Sequence, residues 1–327
     1  MISRDDLRAA VGSGLLSEAQ AVSLTALADS RRGAREDLSP GDEPFELFKG
    51  FNEIFIVVGL VILAMGWVAV NTASMLTEIV NYRAQATTAA LIGAVLLWGL
   101  AEDFIRRRRM VAPAIALSVM FAGNAATGFI AQYAQPFMIA QEDYSSLPMA
   151  LSLSTLALFV FWWRFRVPFS MALIALGLFA VALIVAADQS GVPTELGDLF
   201  RLSANGPFAW VTLVVGLLVF AIAMAFDFSD PHRVTRRSAQ GFWLHVVAAP
   251  ALVNTIALSL LEGDQGLILA LVLGIFALIA IVIDRRSFLL TAIGYIVALS
   301  TTVFDSEGTG ISILALGVVL VVLGAFW

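Results

Sequence analysis

The chain has 327 residues, of which 60% are hydrophobic and 13% are charged, and its mean hydropathy is +0.90. A soluble domain carries roughly 25% charged residues, so this composition excludes an ordinary soluble protein and indicates that most of the surface faces lipid. The net charge is −6, with no cysteine and only two histidines. Disulfides, thiolate metal sites and cysteine nucleophiles are excluded, and a histidine-rich metal centre is not expected.

The N-terminal residues 1–32 predict a small cytoplasmic helical hairpin. Ser17 followed three residues later by Gln20 is a capping box that opens the second helix. Both helices are too short to be stable alone, so we expect them to pack on each other, on the membrane domain or on a protein partner. Residues 33–50 are a polar linker that leads into the membrane.

Residues 51–327 predict an all-α polytopic integral membrane bundle of about ten transmembrane helices. The prediction rests on apolar segments close to the roughly 20 residues needed to cross a bilayer. The predicted spans are Phe51–Val70, Ala86–Ala101, Met110–Ala131, Leu147–Trp163, Val167–Ala187, Pro207–Phe226, Phe242–Leu261, Gly266–Ile283, Phe288–Phe304 and Ile311–Trp327.

Basic residues alternate along the predicted loops. All but two of the 19 Lys and Arg residues lie in the N-terminal tail or in every second loop, the exceptions being Arg83 and Arg201. Cytoplasmic loops carry an excess of Lys and Arg. The pattern therefore predicts a multi-pass protein of the cell (inner) membrane with both termini in the cytoplasm.

Four consecutive arginines follow the second predicted span: Arg106, Arg107, Arg108 and Arg109. Basic residues at a membrane surface attract anionic lipid headgroups by about 1 kcal/mol each. They are candidate anionic-lipid contacts of the bilayer, and the alternative is a topology anchor. No nucleic-acid partner is expected.

Glu53 is the only carboxylate inside a predicted span, three residues from its cytoplasmic end. Lys49 lies four residues earlier and on the same helical face, where opposite charges pair. The two are predicted to form a cytoplasmic interface pair, with a proton-coupling carboxylate as the alternative.

Neutral polar residues mark two of the predicted spans. Asn124 lies between two glycines in the third span, a pattern found where transporter helices unwind to form a midplane site. In the seventh span Pro250 removes a helix hydrogen bond, with His245 and Asn254 about one turn away on either side. Asn124, His245 and Asn254 are therefore a candidate polar cavity, and the alternative for each is an interhelical hydrogen bond.

The sequence contains no recognisable catalytic motif. A P-loop, a GxGxxG fingerprint, HExxH and GxSxG are all absent, and no acid and base are paired. We expect no enzymatic activity, no catalytic residue, no metal and no cofactor.

Four short motifs can be compared with those of known proteins: Gly14-Leu15-Leu16-Ser17 with Gln20, Gly66-Trp67, Gly123-Asn124 and Ala131-Gln132-Tyr133. In these motifs the chain resembles a broad group of bacterial polytopic membrane proteins that have a short N-terminal helical region. That group has no settled activity, so the resemblance implies a membrane fold and transfers no functional residue.

Two functions follow from these features. The first is a non-enzymatic structural, assembly or regulatory membrane component, favoured because buried charge and catalytic motifs are lacking. The alternative is a small-molecule or lipid-like transporter with a polar site between spans three and seven. The sequence leaves the substrate and the oligomeric state open.

Overall fold

The computed structural model describes residues 4–24, 27, 52–77, 81–141, 143–192, 196–204, 206–230 and 235–262, and single positions between 268 and 278. Over these residues the chain is helical and contains no strand. The predicted all-α fold is therefore confirmed for this part of the chain.

Seven of the described helices are long and apolar enough to cross a membrane: the third, fourth, fifth, seventh, eighth, ninth and tenth along the chain. The helices are α1 (Arg4–Gly12), α2 (residues 18–24), α3 (Asn52–Thr77), α4 (Tyr82–Ala101), α5 (Val111–Tyr133), α6 (Met138–Gln141), α7 (Leu147–Phe165), α8 (Phe169–Ser190), α9 (Phe208–Ser229) and α10 (Arg236–Glu262). A π-helical segment, Glu102–Arg107, continues α4, and a 3₁₀ turn, Leu196–Leu199, precedes α9.

The first seven predicted spans coincide with these seven helices. The largest differences are that α3 runs on to Thr77 and that α10 starts already at Arg236. The predicted spans end where polar residues lower the hydropathy. The helices are longer because their backbone hydrogen bonds continue through these polar residues. The last three predicted spans lie outside the described residues apart from isolated positions, so a total of ten and the cytoplasmic termini remain predictions.

The N-terminal capping box forms as predicted. The amide of Ser17 donates to Gln20 Oε1 at 3.0 Å, and the amide of Gln20 donates to Ser17 Oγ at 3.2 Å. These reciprocal bonds satisfy two amides that have no partner within α2. The boundaries of the hairpin and the linker remain predictions, because residues 28–51 lie outside the described part of the chain.

An aromatic cluster joins α4, α5 and α7. Phe121 stacks on Phe161 with ring centroids 4.7 Å apart, and Trp98 meets Phe165 edge-on at 5.0 Å. Large rings in these geometries add to the packing energy of a core. The cluster joins these three helices, and α3 and α8 pack directly against them, whereas α9 and α10 pack on α8 and on each other.

The spans differ strongly in how much of each is buried. Half of α10 is buried, at 50%, because it packs against both α8 and α9, whereas only 11% of α3 is buried. Within the described residues, α3 lies at the periphery of the bundle and rests on α5 and α4.

The predicted helix breaks are not found. Helix α5 is continuous from Val111 to Tyr133, and α10 continues through Pro250. Gly128 instead allows α4 and α5 to approach, because a Cβ at this position would stand 2.7 Å from Ala90 Cβ. The prediction of an unwound third span was wrong, since small residues in membrane helices also serve close packing.

Candidate functional site in a groove between three helices

A groove of about 460 Å³ lies between α3, α4 and α5. Its walls are mainly Ala, Leu and Gly, and none of the residues that line it is charged. The polar and aromatic exceptions are Trp67, Asn71, Thr72, Asn124 and Thr127. A largely apolar cleft with a few polar groups is the usual form of a small-molecule site.

Asn124 projects from α5 onto the backbone of α4. Its Nδ2 donates to the carbonyl of Ala90 at 2.8 Å. The side chain has room because Gly93 lacks a Cβ: one placed there would lie 2.5 Å from Asn124 Oδ1 and 3.5 Å from Trp67 Nε1. Asn124 therefore both ties α4 to α5, as an interhelical hydrogen bond, and lines the groove.

Two further polar side chains in the groove are held by their own helices. Asn71 Nδ2 donates to the carbonyl of Trp67 at 2.7 Å, and Thr127 Oγ1 donates to the carbonyl of Gly123 at 2.9 Å. A carbonyl only accepts, so each bond fixes which atom of the side chain faces the backbone. Trp67 and Asn71 were not predicted as site residues. Asn71 lies beyond the predicted end of its span, and Trp67 lies within an apolar span, where its sequence context does not distinguish it from a packing residue.

His245 and Asn254 do not line this groove. His245 is fully buried, and its Nε2 lies 2.9 Å from Asp227 Oδ2 at the end of α9. Helix α10, which carries both residues, packs mainly on α9 and α8, whereas α5 packs mainly on α4, α7 and α3. The structure therefore does not bring Asn124 together with His245 and Asn254, because the predicted spans three and seven have different neighbours.

Glu53 is buried, with 2% of its surface exposed. Its Oε2 accepts hydrogen bonds from the amides of Val111 at 3.2 Å and Ala112 at 3.0 Å. The carboxylate thus caps the N-terminus of α5. Lys49 lies outside the described residues, so the predicted pair of Lys49 with Glu53 stays a prediction.

The arginines after α4 have carboxylate neighbours. Arg106 pairs with Glu102 at 3.2 Å, and Arg108 pairs with Asp103 at 2.9 Å. Arg164 at the end of α7 also reaches Glu102, at 2.8 Å. Arg107 and Arg109 are exposed. Binding of anionic lipid by Arg106, Arg107, Arg108 and Arg109 remains a prediction.

Fold and groove together define a multi-pass helical membrane protein with a cleft inside its first three described spans. In a comparison with protein families, a model of the Ammonium Transporter Family matches residues 25–140, about a third of the chain. No curated protein and no solved structure matches the chain.

The family match corrects the first functional prediction. A structural, assembly or regulatory component without transport activity was the preferred interpretation, and it was wrong, because the matched family consists of transporters. That interpretation was preferred because the predicted spans lack buried charge, but a neutral groove can also bind a solute. The matched family consists of transporters and not of enzymes, which agrees with the prediction that the chain is not an enzyme.

Proposed function

We propose that this protein is a membrane transporter of ammonium and that the groove between α3, α4 and α5 is its substrate site. The proposal rests on where the family match lies in the chain. The matched residues 25–140 include the whole of α3, α4 and α5, so all the helices that form the groove belong to the part of the chain similar to ammonium transporters.

The groove offers hydrogen-bond acceptors to a ligand that donates hydrogen bonds. Asn71, Asn124 and Thr127 each commit a donor to a backbone carbonyl. The amide and hydroxyl oxygens remain as acceptors. An ammonium group carries N–H donors and no acceptor, so its hydrogen-bonding capacity complements these oxygens.

Trp67 adds a second attraction for a cation. Its indole ring lines the same groove, and Trp is the side chain whose face attracts cations most strongly. No carboxylate lines the groove, so a bound cation would meet no opposite full charge. Conduction requires binding weak enough for release, and this neutral set of groups meets that requirement.

The groove is long compared with the thickness of a membrane. It follows α3 from Leu60 to Thr72, about 18 Å at 1.5 Å per residue. The hydrocarbon core is about 30 Å thick. The length of the groove along α3 is therefore more than half of the thickness of the hydrocarbon core.

The test is uptake of labelled methylammonium and of ammonium into proteoliposomes containing the full chain. Asn124→Leu should lower uptake at least about tenfold, since losing a hydrogen bond to a charged group costs about 1.5–3 kcal/mol and about 1.4 kcal/mol is a factor of ten. Asn254→Leu, the same substitution outside the groove, should transport normally.

Tetramethylammonium gives a further control, because it has the same charge but no N–H donor. It should not compete with methylammonium if the acceptor oxygens select the substrate. Uptake by the unmodified protein no faster than in empty vesicles would refute the proposed activity. Equal losses in the Asn124 and Asn254 variants would refute the location of the site.

We also propose ten spans with both termini in the cytoplasm. The alternating basic residues support this orientation. Within the described helices, Arg106 and Arg164 lie at one end of the bundle, where both approach Glu102.

A further inference from the structure

A second cavity, of about 280 Å³, lies where α4 begins and α5 ends. It shares no lining residue with the groove between α3, α4 and α5. Its walls are mainly apolar and include Ile130, Ala131 and Met138, and Arg83 is the only charged residue among the described residues that line it. Ligand pockets are usually of about 300 Å³ or more, so this cavity suits a small ligand or one part of a larger one.

The guanidinium of Arg83 is held at the wall of this cavity and keeps unused donors. Its Nε donates to Tyr82 Oη at 3.3 Å, and its Nη2 donates to the carbonyl of Ala134. A guanidinium has five N–H donors, so three of them, two on Nη1 and one on Nη2, make no hydrogen bond within the described part of the chain. Paired N–H groups of this kind match the two oxygens of a carboxylate or a phosphate.

Arg83 also differs from other arginines of this protein in its charge environment. Arg106, Arg108, Arg164 and Arg201 each approach a carboxylate oxygen, at distances between 2.8 and 3.9 Å. Arg83 approaches none among the described residues, although its side chain is half-buried. Withdrawing a charge from water is costly unless it is paired, so the cavity is a place where an anion would be stabilised.

We propose that this cavity binds the oxyanion group of an amphiphilic anion, a carboxylate or a phosphate on an apolar body, with Arg83 as its anchor. The oxyanion accepts the unused donors of Arg83, and the apolar body lies against Ile130, Ala131 and Met138. Phe137 lines the same cavity with 78% of its surface exposed, so its ring is open to the ligand. The proposal does not rest on the transport activity proposed above, because binding is measured without transport.

The test is equilibrium binding of radiolabelled hexanoate to the full chain, purified in detergent and immobilised. Hexanoate joins a carboxylate to a short apolar chain, and hexanol is the uncharged competitor of the same length. Arg83→Gln should weaken binding at least about tenfold, as expected when hydrogen bonds to a charged group are lost. Arg201→Gln removes the same charge from an arginine that lies 3.9 Å from Asp198, and it should bind hexanoate normally.

Ala131→Leu is the second test variant, because it reduces the cavity and leaves Arg83 in place. It should also weaken binding, and it decides the question if Arg83→Gln fails to fold without the bond to Ala134. Normal binding by either folded variant overturns the proposal, and so does displacement of hexanoate by an equal concentration of hexanol, which would mean an apolar site only.

A second probe, phosphatidylglycerol in mixed micelles, distinguishes the source of the oxyanion. If this lipid binds, hexanoate does not, and both variants weaken the binding of the lipid, then the oxyanion belongs to a lipid headgroup. Binding of hexanoate that both variants weaken assigns the cavity to a soluble anion. Binding of neither probe by the unmodified protein overturns the proposal.

Discussion

At the scale of single residues, the groove depends on a missing side chain in α4. Gly93 leaves the space into which Asn124 Oδ1 reaches, and that oxygen would lie 2.5 Å from a Cβ at position 93. Asn124 cannot simply turn away, because its Nδ2 is bound to the carbonyl of Ala90 at 2.8 Å. Gly93 is thus as important for the site as the polar residue beside it.

We predict that Gly93→Ala impairs transport. The new methyl group would displace Asn124 from Ala90 and fill the floor of the groove, so methylammonium uptake should fall about tenfold or more, as expected when one hydrogen bond to a charged ligand is lost. Gly99→Ala lies on the same helix where a Cβ meets nothing within 4 Å. If both variants transport at the normal rate, Gly93 does not shape the site.

At the scale of helices, α9 and α10 are joined by a buried polar contact. The side chain of Asp227 passes over the backbone of Gly241, where a Cβ would stand 2.5 Å from Asp227 Oδ1. Its Oδ2 lies 2.9 Å from His245 Nε2. Ionisable groups inside a membrane are costly unless paired. This contact therefore requires the close approach of α9 and α10 that a glycine allows.

We predict that Gly241→Ala destabilises the protein. Displacing Asp227 from a fully buried His245 should lower the free energy of unfolding by about 1–3 kcal/mol, the cost of leaving a buried polar group unsatisfied. Detergent-induced unfolding in mixed micelles measures this quantity. Gly59→Ala, where a Cβ meets nothing within 4 Å, is the control and should be neutral or slightly stabilising. An unfolding curve for Gly241→Ala that overlays that of Gly59→Ala would contradict this role.

At the scale of the whole molecule, the described spans alternate in direction across the bundle. Contacts of Glu102 with Arg106 and Arg164 show that the ends of α4 and α7 meet. In the orientation proposed above, the basic residues lie on the cytoplasmic side, and the opposite end of the bundle, which includes the end of α8, would face outward.

We predict that a membrane-impermeant maleimide added to intact cells labels Ser190→Cys and leaves Arg107→Cys unlabelled. Both positions are exposed, at opposite ends of the bundle. After the membrane is permeabilised, both should react. Labelling of Arg107→Cys in intact cells would mean the reverse orientation and would invert the direction assigned to every span.

The sequence was sufficient to locate the seven described spans and the Ser17–Gln20 capping box, because hydropathy and capping are local properties. It was not sufficient to assign helix neighbours. Asn124 was grouped with His245 and Asn254 because all three are polar. The sequence of an apolar helix does not determine which of its faces packs against which neighbouring helix. The bond from Glu53 goes to backbone amides 58 and 59 residues away, which leave no trace in the side-chain pattern.

The hydrogen bonds between Glu53 and the N-terminus of α5 also have a consequence for biosynthesis. The partner amide at Val111 is 58 residues further along the chain, so at about 5–20 residues per second the ribosome needs roughly 3–12 s to produce it. During that interval the carboxylate of Glu53 lacks these two donors. These hydrogen bonds can form only once the beginning of α5 has been made, so Glu53 acquires its two amide donors after α4 has been synthesised.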